Sequence, residues 1–386
     1  MSETLAGGFD TQEFRDRLAR AQTLMAGTGL SALLLTTEPE VRYFTGFLTR
    51  FWESPTRPWF LIVPGSGDPV AVIPSIGAPL MARGWISDIR TWRAPDLEDD
   101  GISLVADTLR ELADGPIGVP MGHETHMRLP QADWMRLRGT MGLSFVPDAG
   151  IMRRVRMIKS EAEIARITTA CRIADRAFAD VPNRVQAGMA LDQVFRTFQI
   201  LCLEHGADYV SYLAGGAGQG GYADVISPAG PEPLQSGDVL MLDTGLVHQG
   251  YFCDFDRNFS VGAPSDSTQS AYGQLLDAAE AGLAAARPGQ TAADLFHVMD
   301  NILTGGAGGS DAGRLGHGLG MQLTEWPSLI AQDRTVLEPG MVLTLEPGID
   351  VGDGRMLVHE ENIVIRETGA ELLSAPAPRD IPLIGA

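Results

Sequence analysis

The sequence predicts an α/β (α+β) protein of two domains, and three observations support this class. The 386 residues are 44% hydrophobic and 20% charged, an ordinary globular composition with enough material for more than one core. Up to about residue 150, short apolar runs alternate with segments of helical spacing, which is typical of a sheet covered by helices. From Arg153 onwards, long helical patterns precede paired strands. We therefore expect domains at 1–152 and 153–386.

The charge balance and the apolar runs exclude several kinds of partner. The chain has 49 acidic and 29 basic side chains, a net charge of −20, so neither nucleic acid nor an anionic membrane is an expected partner. It lacks a run of about 20 apolar residues, and its start lacks the basic-then-apolar order of a signal peptide. We expect a cytoplasmic protein. Three scattered cysteines argue against a disulfide scaffold.

The first domain opens with a predicted helix from Thr11 to Gly27, followed by the buried strand SALLLTT. Further strands are separated by proline and glycine. The segment Arg50–Trp59 contains two tryptophans, two arginines and two prolines. It is either a rigid aromatic loop that closes over a site on a partner subunit or a surface loop packed by its own tryptophans.

The second domain begins with a long predicted helix. Ser160 is placed as its N-cap, and Glu163 stands at the spacing of a capping box. A second helix follows, and then the glycine-rich segment LAGGAGQGGY, which we expect to be a loop. It lacks the lysine of a phosphate cradle, so it does not indicate a nucleotide site.

The stretch Gly237–Arg257 predicts two strands joined by a tight turn, with one aspartate on each strand. With the turn centred between His248 and Gln249, Asp243 and Asp254 face each other. Directly opposed residues have Cβ atoms about 5 Å apart. Two carboxylates at that distance repel unless a proton or a cation lies between them, so we expect a divalent metal.

This stretch has an internal counterpart 103 residues further on. LQSGDVLMLDTG and LEPGMVLTLEPG share six of twelve positions, and Asp243 aligns with Glu346. A turn centred on Asp353 then pairs Glu346 with Glu360 and directs Glu361 away. A slip of one residue would reverse the choice between the two glutamates.

Four carboxylates thus converge with His317, which lies in the glycine-flanked turn GHGLG. Without cations, four acids at one place would have strongly raised pKa values. Two divalent ions relieve the repulsion, and carboxylates with an imidazole suit Mn, Fe, Co or Zn. Two such ions lower the pKa of a shared water and polarise a carbonyl, which is the chemistry of hydrolysis.

The five segments MLDTG, DFDR, GHGLG, LEPG and HEEN, in this order and spacing, resemble the pita-bread metallopeptidase family of methionine aminopeptidase, Xaa-Pro aminopeptidase, prolidase and creatinase. The resemblance covers nearly the whole chain. It implies a creatinase-type N-terminal α/β domain followed by a pita-bread catalytic domain with an internal pseudo-two-fold duplication. It also implies a dinuclear site, with manganese among the metals, and a homodimer in which the small domain shapes the neighbour's pocket. The implied ligands are Asp243, Asp254, His317, Glu346 and Glu360.

The chain departs from this family on the substrate side. The family peptidases carry a histidine about eleven residues before the Gly-Asp pair, which here falls near Ile226. Their second histidine, seven residues after the ligand histidine, is Thr324. An arginine often found two residues before the last ligand is Val358. We expect Tyr222, Thr324 or Glu325 to supply part of the substrate contact instead.

Three functions are compatible with these residues. The first is a metal-dependent hydrolase of a C–N bond in a small molecule or a dipeptide, similar to an Xaa-Pro peptidase, with Glu346 moving the proton. The second is a lyase that acts on a small carboxylate such as dimethylsulfoniopropionate. The third is a non-catalytic binding protein of the same fold.

Overall fold

A computed structural model describes residues 8–54, 57–140, 142–309 and 313–385. The chain forms two compact units, one up to Arg156 and one from Met157 onwards. The boundary expected from the sequence, between residues 152 and 153, falls inside the helix Ile151–Met157. None of the helices in these described ranges is long and apolar enough to cross a membrane.

The N-terminal unit is a six-stranded mixed sheet with helices. The helices are α1 (Thr11–Thr28), α2 (Glu38–Thr45), α3 (Ala78–Met81), α4 (Ile102–Leu112), α5 (Gln131–Thr140) and α6 (Ile151–Met157). The strands are β1 (Ala32–Leu35), β2 (Phe60–Pro64), β3 (Val70–Pro74), β4 (Asp88–Trp92), β5 (Ile117–Val119) and β6 (Phe145–Pro147). The strand order is β4-β3-β2-β1-β5-β6. The three central apolar strands are buried throughout, as predicted for this class.

The aromatic segment Arg50–Trp59 packs on itself. Trp52 and Trp59 are both buried, with ring centroids 5.6 Å apart. The Arg128 guanidinium donates hydrogen bonds to the carbonyls of Trp52 and Arg57. These contacts are those of a loop packed by its own tryptophans. Residues 55 and 56 lie outside the described ranges, and a role of the segment at a partner subunit stays a prediction.

In its described residues, the C-terminal unit contains two helix pairs, two five-stranded sheets and a two-stranded sheet. The helices are α7 (Glu161–Arg184), α8 (Leu191–Glu204), α9 (Asp266–Ala285) and α10 (Ala292–Leu303). The strands are β7 (Tyr209–Gln219), β8 (Asp238–His248), β9 (Tyr251–Phe252), β10 (Phe255–Val261), β11 (His317–Gly318), β12 (Glu325–Ser328), β13 (Val342–Leu345), β14 (Gly348–Gly352), β15 (Arg355–Val358), β16 (Glu361–Arg366), β17 (Gly369–Leu372) and β18 (Leu383–Ile384).

The duplication is visible in the order of these elements. A helix pair, α7 and α8, precedes the sheet β18-β10-β8-β7, in which β9 also pairs with β8. A second helix pair, α9 and α10, precedes the sheet β12-β11-β13-β16-β17. The predicted capping box at the start of α7 is confirmed, because Ser160 and Glu163 bond each other's backbone N–H groups. The fold class expected from the sequence is therefore correct.

The register of the first hairpin differs from the prediction. Asp243 lies opposite Asp256, not Asp254, and His248 lies opposite Tyr251. The turn consists of Gln249 and Gly250, both with positive φ, and so it is centred one residue later than predicted. When the turn is centred one residue later, each residue of the first strand pairs with a residue two positions further along the second strand. Because side chains alternate between faces with period two, Asp254 stays on the same face as Asp243.

The register of the second hairpin is the predicted one. Gly348 pairs with Val358 and Leu345 pairs with Glu361. These flanking pairs place Glu346 opposite Glu360. The turn residues Asp353 and Gly354 both have positive φ, the conformation of a type I′ turn, and Gly352 pairs with Arg355 across them. A register shift between Asp350 and Gly352 then gives the predicted pairing along the rest of the hairpin.

The glycine-rich segment that was expected to be a loop forms the second half of β7, which pairs with β8 along its whole length. The expectation was wrong because the glycines allow close approach between backbones. A Cβ atom at Gly215 would lie 2.2 Å from the Met241 carbonyl oxygen, and one at Gly218 would lie 2.6 Å from the Gly221 carbonyl oxygen.

Candidate metal centre

Four of the five predicted ligands converge in the C-terminal unit. Asp254, His317, Glu346 and Glu360 each offer one donor atom, and these atoms lie within 4.8 Å of one another. His317 Nε2 is 2.7 Å from Glu346 Oε1 and 3.3 Å from Asp254 Oδ2. His317 starts β11, and the three acids stand at strand ends or at breaks between consecutive strands. Residues at strand ends do not have to follow the regular alternation of side chains in a strand. Side chains from four different strands can therefore point towards one place.

The orientation of His317 is set by neighbouring groups. Its Nδ1 donates to the Gly318 carbonyl at 2.8 Å, so Nε2 is the nitrogen that faces the acids. Its backbone N–H donates to Thr344 Oγ1, and this hydroxyl donates to Glu346 Oε1 at 2.7 Å. A ring nitrogen held by a carbonyl while the other nitrogen faces carboxylates is the usual arrangement of a ligating histidine.

Asp254 is held in place by the second half of the duplicated unit. Asn362, on β16, is fully buried, and its side-chain oxygen accepts the backbone N–H of Asp254 at 3.0 Å. Its side-chain NH₂ donates to the Asp254 carbonyl. This amide therefore fixes the Asp254 backbone in both directions and ties the two hairpins together.

Asp243, the fifth predicted ligand, lies beside this cluster on β8. Its Oδ1 and the Oε1 of Glu360 are buried atoms without a hydrogen-bond partner in the described part of the chain. Buried polar atoms are nearly always satisfied. Carboxylate oxygens left bare next to an imidazole therefore fit a bound cation, and this oxygen-rich set with one nitrogen suits the first-row divalent metals.

The pKa values of the metal-free cluster also indicate that positive charge is required among these acids. Burial and the neighbouring Asp254 raise the pKa of Asp243 and that of Glu360 well above their usual ranges. Burial also raises the pKa of Asp254 to about 6. Burial opposes the ionisation of His317 and Glu346, yet their mutual attraction raises the pKa of His317 to about 10 and lowers that of Glu346 to about 2. An imidazolium and shared protons supply the positive charge that a metal would bring.

The cluster forms part of the wall of a cleft of about 670 Å³, a volume suited to a small ligand. Apolar side chains line one side, including Val225, Met241 and Ile349. The charged lining comprises Asp243, Asp256, Arg314, Glu346, Asp350, Arg355, His359 and Glu360. The cleft thus combines an apolar surface with a dense group of acids and two arginines.

Two of the three predicted substrate contacts have other roles. Tyr222 is buried, and its hydroxyl donates to Asn258 and accepts the Val358 N–H at 2.7 Å. Glu325 is buried too; it pairs with Lys159 at 3.1 Å and accepts the Met321 N–H. Both side chains have partners within the protein, and their contact with a substrate stays a prediction. Thr324 is half-buried and lies 3.5 Å from Arg314 Nη2, so it borders the cleft residues.

The cleft residues that sequence reasoning missed include Tyr212, Asp256, Arg314 and His359. Asp256 and His359 stand within two residues of predicted ligands, so the alternation of a strand could have indicated them. Tyr212 enters the cleft because β7 pairs with β8 opposite Gly245. For Arg314, a position three residues before His317 carried no usable signal, because the turn geometry around it is not visible in the sequence.

Models of two protein families match this chain. Metallopeptidase family M24 matches residues 165–367, and the creatinase/prolidase N-terminal domain matches residues 17–158. Among similar proteins, the probable dipeptidase PepE of Mycobacterium tuberculosis is 29% identical over 366 residues, with 94% of each chain covered. The Xaa-Pro dipeptidase of Pyrococcus horikoshii is 32% identical over 227 residues, which cover 58% of this chain and 64% of that protein.

Solved structures agree with these similarities. The dipeptidase PepE of Mycobacterium ulcerans superposes with a TM-score of 0.84 at 28% identity, covering 98% of this chain and all of that one. The prolidase of Pyrococcus horikoshii OT3 gives a TM-score of 0.81 at 25% identity, with 95% and 100% covered. With its creatinase-type first domain and pita-bread second domain, the chain belongs to metallopeptidase family M24 and is a metal-dependent hydrolase.

Proposed function

We propose that this protein is a dinuclear-metal-dependent peptidase that hydrolyses the C–N bond of a dipeptide-sized substrate. The observation that carries the proposal is the convergence of donor atoms of Asp254, His317, Glu346 and Glu360 within 4.8 Å, at a cleft that Glu346 and Glu360 line. The dipeptidase names of the relatives over nearly the full chain support the same substrate size.

Asp243, Asp254, His317, Glu346 and Glu360 would hold the metal ions. Bound divalent ions of this kind polarise a carbonyl group and lower the pKa of water. The protein contributes the rigid placement of the donors, through Thr344 and Asn362.

Glu346 is the group that we assign to proton transfer. Its side chain is 22% exposed, whereas those of His317 and Asp254 are 2% and 6% exposed, so it is the member of this trio that reaches the cleft most. The Thr344 hydroxyl holds one of its oxygens. The other oxygen is directed towards Arg314 at 3.9 Å and is available to take a proton from water and to pass it to the leaving amine.

Arg314 is the group that we assign to the substrate carboxylate. Its side chain is 37% exposed, and its contacts with Glu346 and Thr324 are long. The other arginine of the cleft, Arg355, donates to the Gln219 carbonyl. A guanidinium fork binds a carboxylate through two parallel hydrogen bonds. Because one residue spans at most about 3.6 Å, a carboxylate this near the cluster belongs to the residue directly after the cleaved bond.

Metal analysis is the first test. We expect about two transition ions per chain in the purified protein, and we expect Asp254→Ala to lose them because it removes a central ligand. Glu204→Ala, which changes an exposed glutamate on α8, serves as the control and should keep the metal. A wild-type protein without metal after purification and reconstitution would contradict the proposal.

An assay panel tests the reaction itself. It contains Xaa-Pro and other dipeptides, their C-terminal amides, small non-peptide amides and dimethylsulfoniopropionate. We expect a new amine from the dipeptides and a roughly 10- to 100-fold lower kcat/KM for the C-terminal amides, since a charge-assisted hydrogen bond contributes about 1.5–3 kcal/mol. Alkene and sulfide products would show a lyase, and no turnover with full metal content would favour a binding protein.

The homodimer, the cytoplasmic location and the use of manganese belong to the same proposal. Light scattering during gel filtration measures the mass of the assembly, and reconstitution with Mn, Fe, Co and Zn in parallel ranks the metals by activity. A monomer in solution would contradict the hypothesis that the Arg50–Trp59 segment closes over a site on a partner subunit.

A further inference from the structure

One wall of the cleft is formed by apolar side chains from two segments of the chain. The segment between β7 and β8 and the hairpin β14–β15 contribute five of them: Val225, Ile226, Ile349, Met356 and Val358. All except Ile226 pack against the same buried cluster, which keeps them in one region of the cleft. The acids Asp243, Glu346 and Glu360 line the same cleft. A ligand that reaches the acids therefore lies beside this apolar wall.

The two segments of the apolar wall are joined by hydrogen bonds. Tyr222 and Met356 form an isolated β-bridge, in which the Tyr222 N–H donates to the Met356 carbonyl at 3.1 Å and the Met356 N–H donates to the Tyr222 carbonyl at 2.8 Å. The Tyr222 hydroxyl also accepts the Val358 N–H at 2.7 Å. These bonds fix the segment and the hairpin relative to each other, so the apolar wall is a built part of the cleft.

Ile226 is the member of the apolar wall that contacts water most. Its side chain is 78% exposed, although its backbone is held in place. Asp224 Oδ1 accepts the Ile226 N–H at 2.8 Å and the Ser227 N–H at 3.0 Å, the pattern of an aspartate turn. Single exposed apolar residues are common on protein surfaces. Ile226 differs from these because it extends a group of apolar side chains inside a cleft, which is typical of a ligand site.

A wall of this kind selects a ligand by its apolar surface. Removing apolar surface from water is favourable in proportion to the area buried, so a leucine-sized side chain gains more there than a methyl group does. A charged side chain would lose hydration without a compensating hydrogen bond. In the proposed function, the metal ions act on the peptide group and Arg314 binds the carboxylate. The part of a dipeptide that remains to contact the apolar wall is a side chain.

We propose that the apolar wall binds a bulky apolar side chain of the substrate and that Ile226 is a specificity-determining residue. The substrate class is then a dipeptide with a side chain such as that of leucine, isoleucine, valine or phenylalanine at one of its two positions. Dipeptides with glycine, alanine or a charged residue at that position are poor substrates. This inference rests on the proposed function for the dipeptide, and its test includes a binding measurement that needs no cleavage.

The first measurement uses the metal-loaded full chain and dipeptides in which glycine, alanine, leucine or aspartate is placed at one position at a time. We expect kcat/KM for leucine to exceed that for alanine by roughly 10-fold or more at one position. Ile226→Ala should lower this leucine-to-alanine ratio by about 3- to 10-fold, because it removes apolar contact area. The matched control is Ile200→Ala, an exposed isoleucine of α8 that does not line the cleft, and it should keep the wild-type ratio.

The second measurement is calorimetry with dipeptide analogues in which the peptide bond is reduced to CH₂–NH, so that they cannot be hydrolysed. The leucine analogue should bind more tightly than the alanine analogue, and Ile226→Ala should remove most of the difference. Circular dichroism of each variant checks that the fold is kept, as expected for a change at an exposed side chain.

Two results overturn the inference. One is an equal kcat/KM for leucine and alanine at both positions, and the other is a leucine preference that Ile226→Ala leaves unchanged. In both cases the peptidase proposal stands, because dipeptides are cleaved. If no dipeptide is cleaved, the analogues decide. A leucine preference that Ile226→Ala removes supports the apolar wall while the peptidase proposal fails, and equal or unmeasurable affinities overturn both.

Discussion

The two hairpins that carry the acids have similar structures, but the register of the second was predicted correctly from the sequence and that of the first was not. In the second hairpin, Gly352 pairs with Arg355 across the turn residues Asp353 and Gly354, and a register shift between Asp350 and Gly352 gives the rest of the ladder the register predicted for a turn centred on Asp353. In the first, Gln249-Gly250 adopts the same positive φ values, although glutamine is an unusual residue for them. The sequence therefore placed the first turn one residue too early. Turn residues alone therefore do not fix a hairpin register, because an irregularity beside the turn also shifts the pairing.

The consequences of the two registers also differ. In the second hairpin the predicted ligands Glu346 and Glu360 stand at opposed positions between the observed pairs. In the first hairpin Asp243 is opposite Asp256, an acid that the prediction overlooked. The first half of the site thus has one more carboxylate than expected on the same face.

The largest expected effect concerns the amide that ties the two hairpins. Asn362→Leu leaves the backbone N–H and carbonyl of Asp254 buried without partners. We expect the free energy of unfolding to fall by about 4 kcal/mol and metal affinity to fall with it. Urea denaturation with and without metal measures both, and Asn301→Ala, at an exposed position of α10, is the control. A loss below about 1 kcal/mol would mean that the hairpins are held independently.

A second prediction concerns how the free energy of unfolding of the metal-free protein depends on pH. Burial raises the pKa of Asp254 to about 6 and that of Asp256 to about 8, against about 3.9 for an unfolded aspartate. The folded metal-free protein then binds more protons than the unfolded chain between pH 4 and pH 8. Its free energy of unfolding should therefore fall as the pH rises through this window.

Asp256→Asn sharpens this prediction, because it should make the decline between about pH 4 and pH 8 shallower. Glu346, in the second hairpin, has a pKa lowered to about 2, with burial outweighed by His317, and contributes no such decline. Urea titrations of the metal-stripped proteins at several pH values give the measurement. A flat stability profile in the wild type would rule out the raised pKa values.

The smallest effect tests the turns. Gly250→Ala and Gly354→Ala each force a Cβ into a left-handed conformation and should each cost about 1 kcal/mol. Gln249→Asn should instead stabilise the first hairpin by a few tenths of a kcal/mol, because asparagine tolerates positive φ. Gly273→Ala, inside α9 with open space at its Cβ, is the control and should not destabilise. Thermal unfolding resolves these differences; equal tolerance at Gly250 and Gly273 would contradict the turn assignment.

Much of the candidate site could be predicted from the sequence because the repeat and the strand alternation are local properties. The internal repeat located Glu346 from Asp243, and a turn centred on Asp353 selected Glu360 over Glu361, which pairs with Arg257 instead. The substrate side could not be predicted. Tyr222 and Glu325 stand at suitable positions in the sequence, but both are committed to buried partners from distant segments.

The sequence by itself determined the fold class, the duplicated plan and the acids and histidine that converge, since these depend on periodicity, spacing and turn residues. Only the tertiary structure decided that Asp243 faces Asp256, that His359 joins the same wall, and that Arg314 enters the cleft. The physical reason is that a register is set by one turn, whereas a cleft is made of side chains from several strands. Its lining depends on how those strands pack, and that packing is not a local property of any segment.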